Sequence, residues 1–109
     1  MAFGSLGKIV VASAGTIKQA TTTTLNVNAI MFQTLTGQSG NQMYIGTSAL
    51  VKSTLVGCLH ILQKPVATPA SLDYWIMQAQ AGGDPIDLST IWFDADTTND
   101  GILVSYFQL

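Results

Sequence analysis

The sequence predicts an all-β fold, an antiparallel β-sandwich that forms a single domain over residues 1–109. β-branched residues, which pack well on pleated sheets and lose rotamer freedom in helices, recur in short runs between turn residues. The helix-forming residues Glu and Arg are absent from the chain. The length of 109 residues also lies in the usual range for one domain, about 100–150 residues.

Strands and turns alternate through the first half of the chain. Residues 8–13 are rich in Val and Ile and predict the first strand, and residues 16–20 predict a weaker second one. Residues 29–35 predict the next strand, because apolar side chains recur there at alternate positions. Residues 36–41 contain Gly, Ser and Asn and predict a turn. Residues 42–46 then predict another short strand.

The same pattern continues in the second half. Residues 47–57 predict a loop, and residues 58–64 predict a strand. Pro65 and Pro69 frame a connector, because Pro cannot donate a hydrogen bond to a β-ladder. Residues 72–80 are strongly apolar and predict a strand that ends at a Gly- and Pro-containing break.

The last two predicted strands, residues 91–95 and 102–107, are expected to form a hairpin across residues 96–101. Asn99-Asp100-Gly101 is typical of a hairpin turn, since Asn and Gly tolerate positive φ.

The acidic residues of this segment offer an alternative. Asp94, Asp96 and Asp100 supply oxygen atoms that Ca²⁺ prefers, but Asn99 stands where a calcium loop needs Gly, and no Glu closes the loop. The turn interpretation is therefore favoured, and an ion site shared between subunits stays the alternative.

Several predicted strands are apolar on both faces. In residues 72–77, Tyr74 and Ile76 alternate with Trp75 and Met77, and the last strand has the same property. A half-solvated antiparallel strand alternates apolar with polar residues. Because a small sandwich has one interior, the second apolar face predicts a subunit interface. A covering loop from the same chain is the alternative.

Large apolar side chains dominate the energy of protein interfaces. The candidate interface anchors in this sequence are Tyr74, Trp75, Met77, Trp92 and Phe107. We expect Trp75→Ala or Trp92→Ala to weaken assembly.

Charged residues make up only 9% of the chain, against about 25% in a typical domain. The four Lys are isolated from one another and the net charge is −2. This pattern predicts neither a nucleic-acid surface nor a polybasic membrane anchor. No apolar run approaches the length of about 20 residues that a membrane span needs. A surface so poor in charge is expected to be covered by copies of the chain or by a larger assembly.

The chain offers little catalytic chemistry. Cys58 and His60 would share a face of a strand and suggest a nucleophile pair or half of a metal site. They are the only Cys and the only His, whereas zinc sites need about three or four protein ligands. Packing roles are favoured for both, and we expect no cofactor, no metal and no enzymatic activity. A small hydrolase using Ser, His60 and Asp is a minor alternative.

Three short segments resemble small virion proteins of tailed bacteriophages. Residues 42–48, QMYIGTS, resemble the YVG strand of that group. Residues 87–93, DLSTIWF, resemble its "DL…IYV" segment, and residues 101–106, GILVSY, resemble its closing "GVSVLY" strand. The resemblance covers residues 28–109. It departs from the group at Trp92, where Tyr is usual, and in an apparent insertion from Pro65 to Gly83.

The resemblance implies a jelly-roll-like β-sandwich in the phage particle, often a trimer. It implies a non-enzymatic capsid decoration or cement protein, made in the host cytoplasm and located in the virion. Its partners would be copies of itself and the major capsid protein or other virion proteins. The alternatives are a tail or connector component and a carbohydrate-binding module that uses exposed aromatic residues.

Overall fold

The computed structural model describes residues 2–35, 38–40, 42–64 and 73–108. A short 3₁₀ helix spans Leu88–Thr90. The strands in chain order are β1 (Ala2–Val10), β2 (Lys18–Gln19), β3 (Asn26–Val27), β4 (Ala29–Thr34), β5 (Gln42–Val51), β6 (Val56–Gln63), β7 (Tyr74–Gln78), β8 (Ile86–Asp87), β9 (Trp92–Ala95) and β10 (Gly101–Gln108).

Two four-stranded sheets form the fold. Sheet A has the strand order β1-β10-β4-β7, sheet B has the order β2-β9-β5-β6, and β3 pairs with β8 in a separate two-stranded ladder. The paired strands are antiparallel. β5 and β6 form a hairpin within sheet B, whereas β9 leads from sheet B to β10 in sheet A. This arrangement confirms the predicted all-β antiparallel sandwich.

The core lies between the two sheets. Phe32 of sheet A meets Phe93 of sheet B edge to face, with ring centroids 5.8 Å apart. Burying one large apolar side chain contributes about 1.5–3 kcal/mol, so the shared core is the main stabilising feature of the sandwich. The other fully buried apolar residues of the paired strands in sheets A and B are Ile30, Met43, Ile45, Leu62, Ala95, Ile102 and Val104.

The predicted strands at residues 29–35, 42–46 and 58–64 are confirmed as β4, the start of β5 and most of β6. The first strand begins earlier than predicted, at Ala2, and ends at Val10. Glycines lower the strand propensity of this segment, but pairing with β10 along its whole length supplies the ladder.

The loop predicted at residues 47–57 is wrong. β5 continues to Val51 and β6 begins at Val56, so the connection is only residues 52–55. Leu55 has φ 61° and Gly57 has φ 72°, and the Leu55 amide donates to the Val51 carbonyl at 2.8 Å. Left-handed backbone at two nearby positions therefore reverses the chain within a few residues.

The hairpin predicted between residues 91–95 and 102–107 is also wrong, because β9 and β10 lie in different sheets. Asn99 does adopt the left-handed φ expected of a turn, 71°. The buried Asp100 carboxylate accepts hydrogen bonds from the amides of Ser39 and Gly40, at 2.8 and 2.7 Å. The Asp100 hydrogen bonds fix the loop after β9. The pairing of β10 with β1 and β4 then places the next strand in sheet A.

Two predicted features lie at least partly outside the described residues. The connector framed by Pro65 and Pro69 lies wholly outside, and the turn at residues 36–41 lies partly outside. The strand predicted at residues 72–80 is present as β7, Tyr74–Gln78, while Leu72 lies outside the described part.

Candidate functional site: an apolar sheet face

The outer face of sheet A carries large apolar side chains where a solvated sheet is normally polar. Its polar residues are Ser5, Lys8, Gln33, Gln78 and Ser105. Since Ile30 and Phe32 point into the core, the alternate residues of β4 point outward. The strand register aligns them with the outward residues of β1, β10 and β7. We call the outward apolar residues the apolar face: Phe3, Ala29, Met31, Tyr74, Ile76, Leu103 and Phe107.

Two rows of paired residues shape this surface. Phe3 lies opposite Phe107, with ring centroids 5.3 Å apart. In the neighbouring row, Met31 lies opposite Ile76. A depression of about 240 Å³ lies between these side chains, with Ala29 among the residues that line it. The apolar face is therefore concave at its centre.

The exposure of the apolar face is large for so small a protein. Phe3 is 80% exposed, Tyr74 59%, Ile76 47% and Met31 36%. Taking about 200 Å² for each large side chain, these four residues expose on the order of 400 Å². The largest apolar patch on a typical monomer is about 300–600 Å² and is often functional. The apolar face is thus a candidate binding surface in its own right.

Charge is nearly absent from this surface. Lys8, at the outer edge in β1, is the only charged residue in the four strands of sheet A. Covering the apolar face therefore requires no carboxylate to leave water, a step that costs free energy unless the charge is paired. This composition favours an apolar, uncharged partner surface.

The outer surface of sheet B carries hydrogen-bonded polar groups beside the exposed Leu59 of β6. The Tyr44 hydroxyl lies 2.9 Å from both Gln42 Oε1 and Asp96 Oδ1. Burial first, and then the hydrogen bond to Asp96 and the negative charge of Asp96, together raise the pKa of Tyr44 to about 12. Lys52 Nζ donates to the Ala95 carbonyl at 2.7 Å. The two outer faces of the sandwich therefore differ in kind.

The predicted interface anchors are divided among three surfaces. Tyr74 and Phe107 lie on the apolar face. Trp75 and Met77 lie on the inner side of β7 and pack against the core. Trp92 is half-buried in β9, opposite Gly46 of β5.

Five residues of the apolar face were absent from the predicted anchors: Phe3, Ala29, Met31, Ile76 and Leu103. For Ala29 and Met31 a signal exists, because they alternate with Ile30 and Phe32 along β4. For Phe3 the alternation of apolar residues is hard to recognise, because β1 contains glycines and has a bulge between Ser5 and Gly7.

Cys58 and His60 do not form a reactive pair. The His60 ring stacks on Trp75, with centroids 4.6 Å apart and planes 7° from parallel. The Cys58 Sγ lies 3.5 Å from the backbone carbonyl oxygen of His60. Burial raises the pKa of the Cys58 thiol, which disfavours the nucleophilic thiolate. Both side chains have packing roles.

The acidic cluster is similarly taken up by structural contacts. Asp94 Oδ1 accepts from the Gly15 amide at 2.9 Å, Asp96 contacts Tyr44, and Asp100 holds the amides of Ser39 and Gly40. Within the described residues, no group of three or more His, Cys, Asp or Glu is placed to hold a metal ion. Each carboxylate thus serves a different part of the backbone or a different side chain.

None of the helices in the described part of the chain has the length and apolar character that crossing a bilayer requires. Comparisons of the chain with protein-family models, with curated proteins and with solved structures gave no match.

Proposed function

We propose that this chain is a non-enzymatic structural protein that works by association of its copies, and that the apolar face is the surface they bury. The assembly we propose is a bacteriophage particle, with the chain as a capsid decoration or cement protein that forms a homotrimer. Contact with the major capsid protein would then stabilise the head through many small interfaces.

The observation that carries this proposal is the exposure of the apolar face. Burying on the order of 400 Å² of apolar surface gives about 10 kcal/mol at about 25 cal/mol per Å². Association of two proteins costs about 4–15 kcal/mol in lost translational and rotational freedom. The gain from the apolar face is therefore comparable with the cost of association and leaves little surplus on its own. Further contacts must add to it in a stable assembly.

The scarcity of charge supports self-association over a charged partner. Lys8 is the only charged residue in the strands of sheet A. The outer faces of two copies can therefore meet without repulsion between like-charged patches. A nucleic acid would need a basic surface, which the four isolated Lys of this chain do not provide.

The strand order supports the jelly-roll form of the sandwich. A jelly roll has eight strands in two sheets, built from two Greek keys. Here the orders β1-β10-β4-β7 and β2-β9-β5-β6 make the chain cross between sheets at most of its connections. The virion location itself rests on the sequence resemblance of residues 42–48, 87–93 and 101–106.

The carbohydrate-binding alternative needs exposed aromatic rings on one surface. Trp75 packs against the core, Tyr44 is buried and Trp92 is half-buried in sheet B. Tyr74 is more than half exposed and lies opposite Gln33 on the outer face, but no second exposed aromatic ring adjoins it among the described residues of β4 and β7. The aromatic residues therefore support packing better than sugar binding.

Light scattering of the purified chain over a range of concentrations tests the self-association. We expect an oligomer, with a trimer as the specific outcome, and we expect Ile76→Ser to dissociate it. Leu59→Ser is the matched control, because Leu59 is 49% exposed and Ile76 47%, and Leu59 lies in sheet B. A wild-type chain that stays monomeric, or equal effects of the two substitutions, would refute the role of the apolar face.

Immunogold labelling of phage particles from a culture that expresses the chain tests the location. Label on the heads supports a decoration protein, and label on the tails supports the tail alternative. Purified particles without label would exclude a virion component.

A further inference from the structure

The hairpin between β5 and β6 ends in a second exposed apolar surface. Val51 lies opposite Val56 across the hairpin, and the two are 47% and 58% exposed. Leu55, between them, is 48% exposed. We call Val51, Leu55 and Val56 the hairpin tip.

The backbone at the hairpin tip is unusual for its residue type. Leu55 has φ 61°, a left-handed conformation that Gly, Asn and Asp adopt far more readily than Leu. Asn or Gly would therefore suit the isolated fold better than an exposed Leu. A bulky residue held in an unfavourable backbone conformation points to a role in binding.

We propose that the hairpin tip of one copy docks on the apolar face of a second copy. This inference rests on the proposed function, because it specifies how the copies associate. The hairpin tip is the convex end of a hairpin of sheet B, and the apolar face of sheet A holds a depression of about 240 Å³. The two surfaces match in apolar character, and the end of a hairpin can enter such a depression.

The total apolar area that each copy buries favours a ring of such contacts over a face-to-face dimer. A standard interface buries about 800 Å² on each partner, and the apolar face alone offers on the order of 400 Å² of exposed apolar side chain. A face-to-face dimer would also leave the hairpin tip in water. In a ring, the hairpin tip of each copy contacts one neighbour and its apolar face contacts another. Both apolar surfaces of every copy are then buried.

Charge is compatible with the same contact. Lys52, next to the hairpin tip, donates its Nζ to the Ala95 carbonyl at 2.7 Å and is thereby held against sheet B. The apolar face has Lys8 at its edge and no acidic residue in its strands. An uncharged tip on an uncharged face suits a second copy of this chain.

Symmetry gives this contact a distinct signature. Because the tip and the face are different surfaces, the contact is heterologous: it closes into a ring when the rotation permits and otherwise grows into a filament. In a trimeric ring, every hairpin tip is docked on an apolar face and no apolar face is left uncovered.

Mixing two variants tests the contact. Phe3→Asp places a charge on the apolar face, and Leu55→Asn removes the apolar side chain of the tip while keeping a residue that tolerates left-handed φ. Thermal unfolding first establishes that both variants fold, and Leu55→Gly is a second tip variant. We expect each variant alone to be a monomer. We expect their equimolar mixture to form a dimer and nothing larger, since the intact tip of one fits the intact face of the other.

The outcomes separate the inference from the proposed function. A Leu55→Asn chain that assembles like the wild type would mean a face-to-face contact and would overturn the inference alone. Two monomeric variants that stay monomeric when mixed, well above the concentration at which the wild type assembles, would also overturn it. A wild-type chain that is monomeric at every concentration would refute self-association itself.

Discussion

The imidazole of His60 lies parallel to the indole of Trp75, with ring centroids 4.6 Å apart and an interplanar angle of 7°. Trp75 stacks in turn on Phe32, at 5.7 Å and 19°. His60 belongs to β6, an edge strand of sheet B, and Trp75 belongs to β7, an edge strand of sheet A. The stack therefore joins the two sheets along one side of the sandwich and gives Trp75 a packing role within the chain.

Trp75→Ala is expected to lower the free energy of unfolding by about 3 kcal/mol, because it removes a large ring from the packed edge of the core. His60→Ala is expected to cost about 1 kcal/mol. In urea unfolding, a double-mutant cycle should give a coupling of about 0.5–1.5 kcal/mol, as for other ring pairs. Strictly additive effects would contradict the stack.

Tyr44 makes stability depend on pH in the alkaline range. Its pKa is about 12 in the folded chain against 10.0 ordinarily, so the folded state holds this proton more tightly than the unfolded state. The resulting stabilisation is complete below pH 10 and is lost as the pH rises toward 12. We expect the urea midpoints of the wild type and Tyr44→Phe to converge over this range. Parallel pH profiles for the two chains would show that Tyr44 titrates normally.

Asp87 makes stability depend on pH in the acid range, where stability is lost as the pH falls. Its carboxylate accepts from the Ser89 amide and hydroxyl, which lower its pKa, and the Leu25 amide lowers it further. The stabilisation is therefore present above the ordinary pKa of 3.8 and is lost as the pH falls through the lower folded-state pKa. Asp87→Asn should flatten the acid limb of thermal stability measured by circular dichroism. An unchanged acid limb would count against this role.

Asp100→Ala is expected to destabilise the chain by about 3 kcal/mol, since a buried charged acceptor is lost from the two amides of Ser39 and Gly40. Asp100→Asn, which keeps one acceptor oxygen, should cost less. Neither Ca²⁺ nor EDTA should change the melting temperature of the wild type, because the carboxylate already serves those amides. A rise in melting temperature with Ca²⁺ would revive the ion-site alternative.

The strands with clear apolar alternation could be predicted from sequence, and the long-range pairings could not. β4 and β6 carry runs of β-branched and apolar residues, so both were predicted within two residues of their observed ends. The β5–β6 turn depends on left-handed φ at Leu55, a residue type that gives no sign of it. The wrong hairpin at residues 96–101 arose because a good turn signal does not tell whether the next strand joins the same sheet.

The sequence alone could not show which of the candidate interface residues point away from the core. Period-two alternation in β7 separates Tyr74 and Ile76 from Trp75 and Met77, but it does not tell which pair faces the core. That choice depends on contacts with Phe32 and His60, which come from distant parts of the chain. Phe3, the most exposed residue of the apolar face, is recognisable only when β1 is aligned with Phe107.

The position of β10 has a consequence for how this chain acquires its fold during synthesis. β10 lies between β1 and β4 in sheet A, and the hydrogen bond from Ser5 to Val104 spans 99 positions of sequence. Closing so long a loop is costly in entropy and slows folding. Until residues 101–108 have been synthesised, β1 and β4 lack the strand that lies between them. The nascent chain must therefore stay unaggregated with β1 unpaired, and with β4 paired only to β7, until residues 101–108 emerge.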